Sequence, residues 1–165
     1  MSLDNIQLSG QTCAILFSHN LIEDQASNRE QESQEKIKID CLGENQKQVL
    51  FLVNDQSNKY LGDEEMEMLV KLIAACKLSM ADIALVNFHS NKFNYQQFNN
   101  EFHSNKILIF GVSTGELELP FEIPHFQVQQ FQKQFYLTAP SLKDLLDNTD
   151  LKKELWMSLQ KLFLQ

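Results

Sequence analysis

The chain has 165 residues, is 43% hydrophobic, carries a formal net charge of −8, and has Arg29 as its only arginine. That length suits one domain with a full core and argues against two independent ones. Nucleic-acid surfaces and phosphate or carboxylate clamps draw on clustered lysine and arginine, so this acidic balance argues against them and favours protein partners.

Residues 1–36 read as an N-terminal segment and polar linker, and residues 37–165 as a single α/β domain. The N-terminal segment holds one apolar island, Cys13-Ala14-Ile15-Leu16-Phe17, followed by Leu21-Ile22. An island this short suits a strand or a helical turn equally. Glu23 to Lys36 has almost nothing to bury and cannot offset its ordering entropy, so it reads as a linker or a solvated helix. Lys36-Ile37-Lys38-Ile39-Asp40 alternates as an edge strand does.

Gln48-Val49-Leu50-Phe51-Leu52-Val53 is the stretch around which the rest is organised. Its uninterrupted apolar run, closed by Asn54-Asp55, is the pattern of a strand buried on both faces of a parallel sheet. A helix is predicted from Asp63 to near Lys77, with Met66, Leu69, Val70 and Ile73 on one face and the Asp63 carboxylate as a candidate cap. Ser79-Met80-Ala81-Asp82 has capping-box form. Ile83 to Phe88 reads as the next strand, and strand–helix–strand implies a right-handed parallel crossover. A modest helix from about Tyr95 to His103 places Phe98 and Phe102 on one face. Ile107 to Phe110 is a third strand, Gly111 to Pro124 a loop, and Gln134 to Thr138 the last strand. Ser141 is a candidate N-cap for a helix through Leu142, Leu145 and Leu146. After Asp147-Asn148-Thr149-Asp150, a second helix carries the stripe Leu151, Leu155, Leu159 and Leu162, widened by Trp156 and Phe163. Met157 and Leu164 fall on its polar side. The order implies a three-layer α/β/α sandwich with a mainly parallel central sheet of about four strands.

No apolar run approaches the roughly 20 residues of a membrane span, and no basic-then-apolar leader opens the sequence. A cytoplasmic protein is the expectation. Cys13, Cys41 and Cys76 are widely spaced and form no C-x-x-C pair, which suits reduced thiols. No metal-ligand spacing appears among the histidines.

Enzymes of this architecture place their sites at the carboxyl ends of the strands. Those ends carry Asn54-Asp55-Gln56-Ser57, then Asn87 and His89, then Gly111-Val112-Ser113-Thr114-Gly115, then Thr138-Ala139-Pro140-Ser141. The Gly111 loop lacks the Gly-Lys-Ser/Thr ending of a phosphate loop. Asp55 with His89 would form an acid–base pair if neighbouring strands brought them together. Ser113 has no nucleophile elbow around it.

Two regions carry a family resemblance. One is Val53-Asn54-Asp55 with the helix through Met66-Glu67-Met68-Leu69-Val70-Lys71-Leu72-Ile73 and Leu78-Ser79-Met80-Ala81-Asp82-Ile83. The other is Ala139-Pro140-Ser141-Leu142-Lys143-Asp144-Leu145-Leu146-Asp147-Asn148 followed by Lys153-Glu154-Leu155-Trp156. Together they resemble the psi subunits of bacterial DNA polymerase III, small clamp-loader accessory proteins. The resemblance implies the uracil-DNA glycosylase-like fold without glycosylase activity. Asn54, Asp55, Ala139 and Ser141 would then mark a degenerate cleft. Ala139 stands where the glycosylases typically have a histidine, so the donor that stabilises the leaving base is lost.

The same resemblance implies a non-catalytic bridge in DNA replication, with no cofactor and no metal. Its partners would be the clamp-loader ATPase subunits and a chi-like subunit, with no strong direct contact to nucleic acid and none to membrane. Ile15, Leu16 and Phe17, and Trp156, Met157 and Leu164, are the candidate partner-binding residues. Two other readings stay open: an enzyme or small-ligand domain using the strand-end loops, and a residual nucleic-acid-binding member of the glycosylase fold.

Overall fold

The computed structural model describes residues 38–164. The N-terminal segment and linker, with Ile15, Leu16 and Phe17, lie outside the described residues.

Five strands form one sheet: β1 (Val49–Val53), β2 (Ile83–Asn87), β3 (Lys106–Phe110), β4 (Val128–Phe131) and β5 (Gln134–Ala139). The sheet order is β2-β1-β3-β5-β4, parallel except for the antiparallel β4–β5 pair. The helices are α1 (Asp63–Ala75), α2 (Tyr95–Phe102), α3 (Leu142–Asp147) and α4 (Thr149–Phe163), with a short 3₁₀ turn at Met80–Asp82. None of them is long and apolar enough to cross a membrane.

The apolar run that opens the fold does what its composition requires. Along β1, Val49, Phe51 and Val53 pack into one core and Leu50 and Leu52 into another, because successive side chains point to opposite faces. The first core takes Leu69 and Ile73 from α1, Leu142 and Leu145 from α3, and Leu155, Leu159 and Leu162 from α4. The second takes Phe98 from α2, with Phe93, Val112, Leu117 and Ile123 from the connecting loops. From β1 the chain steps to β2 on one side and then crosses to β3 on the other. Right-handed crossovers in opposite directions put α1 and α2 on opposite faces.

Three expectations are corrected. The sheet has five strands, not about four, because residues before β5 form the antiparallel strand β4. Its four residues VQQF hold two glutamines and too little apolar alternation to register as a strand. Lys38 to Asp40, the described part of the predicted edge strand, forms no strand; Ile39 is buried, and Leu42 instead makes an isolated antiparallel bridge to Leu85. The α1 N-cap is Gly62, with Asp63 already helical. Glu65 there reaches back so that its Oε2 accepts from the Gly62 N–H at 3.2 Å. The predicted cap Ser141 does start α3, and Asn148, within the run Asp147–Asp150, starts α4, each accepting a backbone N–H of its helix.

Candidate functional site

In an open sheet the natural ligand crevice lies where consecutive crossovers leave in opposite directions, outside the carboxyl ends of the two strands concerned. Here that switch point lies between β1 and β3. Asn54 follows β1 and Gly111 follows β3. The Asn54 Nδ2 donates to the Gly111 carbonyl at 3.1 Å. The Gly111 N–H donates to the Ala139 carbonyl at 3.1 Å, which ties in the end of β5. Gly111 has φ +67°, and a Cβ added there would lie 3.0 Å from Ser141 Cβ and 3.1 Å from Ser141 Cα. Asn54, Ala139 and Ser141, singled out in the sequence, therefore do converge. They converge by filling the rim: Ala139 is only 2% exposed, the Asn54 amide nitrogen bonds to the Gly111 carbonyl, and the Gly111 N–H bonds to Ala139. Ser141 Oγ is engaged with Asp144, donating to its Oδ2 at 2.7 Å and accepting from its N–H at 3.2 Å.

Asp55 turns away from this rim. Its Oδ1 accepts from the N–H groups of Ser57 at 2.7 Å and Asn58 at 3.1 Å, and its Oδ2 from the Asn58 amide at 2.9 Å. Burial pushes this carboxyl up, but the hydrogen bonds from Asn58 and Ser57 outweigh it and hold it below the usual carboxylate range. No hydrogen bond among the described residues joins the side chains of Asp55, His89 and Ser113, and His89 is exposed. Ser113 Oγ donates to Glu116 Oε2 at 2.9 Å and accepts from the Glu116 N–H at 3.2 Å, a closed turn of its own. The backbone and hydroxyl of Ser113 hold Glu116 below its ordinary carboxylate range.

Beside this rim, at the end of β2, Asn87 is fully buried at 0% exposure. Its Oδ1 accepts from the N–H groups of Asp55 and His89, both at 3.1 Å. Its Nδ2 donates to the carbonyls of Asp55 at 2.8 Å and Asn58 at 3.0 Å. One side chain thus locks the loop after β1 to the turn after β2. An asparagine closing an otherwise apolar strand is the sequence signal for such a role, because a buried amide must find partners.

Two other places hold titratable groups near open space. A hollow of about 410 Å³ is lined by Phe88, Lys92, Asn94, Gln97, Glu116 and Glu118 among others. Its acceptors are spoken for in part: Asn94 Nδ2 donates to Glu118 at 3.2 Å, and Glu116 serves Ser113. Lys106 sits with its ammonium 4.4 Å from the Phe163 ring centre, a cation–π contact. Burial lowers the Lys106 pKa and raises that of the Cys76 thiol beside it. Among the described residues, no cluster of three or more His, Cys, Asp or Glu side chains is placed to hold a metal ion.

No family model and no curated protein matches the chain.

The apolar openings lie off the rim, on both flanks of α4. On one flank a groove of about 510 Å³ runs between α1, α3 and α4, lined by Met68, Leu72, Ala75, Leu146 and Leu155 and edged by Glu64, Glu67, Lys71 and Lys152. On the other, a mixed groove of about 800 Å³ lies between α4 and the segment leading into β4, where Phe126, Met157 and Leu164 stand among Glu154, Gln160 and Lys161. Met157 is 54% and Leu164 42% exposed, while Trp156 is half-buried against the first core. Two of the three α4 candidates therefore face solvent, and the third is largely a packing residue.

Proposed function

We infer that this chain is a non-catalytic scaffold that joins other polypeptides, acting in the cytoplasm as a psi-like accessory of the DNA polymerase III clamp loader. The observation that carries this reading is the filled rim. Where an α/β enzyme of this strand order would open a crevice, Asn54, Gly111, Ala139 and Ser141 bond and pack to one another. Apolar surface is exposed on the flanks of α4 instead. Aliphatic and methionine side chains in grooves between helices suit the apolar face of a partner helix or strand.

Four parallel strands with helices on both faces suit the uracil-DNA glycosylase-like fold, and alanine at position 139 supplies no donor for base excision. A net charge of −8 opposes a direct hold on a polyanion. Clamp-loader ATPase subunits and a chi-like subunit are the partners on this reading. The test is retention of the purified full chain on immobilised clamp-loader ATPase and chi-like subunits of the same organism. Binding at micromolar protein, weakened by Met68→Glu or Met157→Glu, is the expected result. No retention of the folded wild-type chain overturns the reading.

A further inference from the structure

We draw no further inference here: the strongest candidate, the apolar groove of about 510 Å³ among α1, α3 and α4, carries both Glu64 and Glu67 and Lys71 and Lys152 along its edges, and nothing in the structure shows what covers it.

Discussion

Gly111 shows how one residue type can decide whether a rim is open. Its φ of +67° lies in the left-handed region, and the space a Cβ would need is taken by Ser141. Gly111→Ala therefore meets backbone strain and a steric clash together. We expect it to lower stability by about 2 kcal/mol or more, read as a lower urea midpoint with an unchanged slope. Asp55 gives a second expectation, and its sign follows from its hydrogen bonds. A carboxyl held below its ordinary range in the folded chain adds stability above its unfolded pKa, about 4. That contribution fades as pH falls through the lower folded value. Asp55→Asn should therefore flatten the acid limb of the urea midpoint against pH, and leave the neutral-to-basic limb parallel to wild type. Asn54, Ala139 and Ser141 were identifiable from the sequence because strand ends are where such folds place function. Their closure into a filled rim was not, since it depends on a backbone angle at Gly111 and on the approach of Ser141.

Among the elements, the parallel strands were legible because each is a nearly continuous apolar run, buried on both faces. Helices α1, α3 and α4 were legible from their apolar spacing, the cap at Ser141 and the break at Asp147–Asp150. Strand β4 was not, because half of it is glutamine and its pairing is imposed by a two-residue turn. That turn breaks the usual chemistry: type I′ favours Asn-Gly, and here Gln132 and Lys133 both hold positive φ. Lys133→Gly relieves the second position. We expect a gain of about 0.5–1 kcal/mol in urea unfolding, with β4 amides exchanging more slowly. The α1 C-terminus bends the same rule. Lys77 takes φ 60° in a Schellman motif, its N–H bonded to Ala74 and that of Leu78 to Ile73. Neither departure is visible in hydrophobic periodicity, which reads faces and not backbone angles.

For the molecule as a whole, the division of labour follows from topology. Crossovers to opposite sides of β1 create a switch point, and there Asn54 bonds to the Gly111 backbone and Gly111 to that of Ala139. Among the described residues, the surfaces offered for association are the groove among α1, α3 and α4 and the groove between α4 and the segment leading into β4. Length and acidity led only to the expectation of one domain and of protein partners. The flank positions of these grooves needed the packing of α4, whose stripe buries Leu155 and Leu159 while leaving Met157 exposed. The most direct measurement is a titration of the isotopically labelled full chain with a clamp-loader ATPase subunit, followed amide by amide. The expected result is shifts at Met68, Leu72 and Leu146 or at Met157 and Leu164, with Asn54, Gly111 and Ser141 unmoved. Shifts confined to Asn54, Gly111 and Ser141, or none at saturating partner, would contradict it.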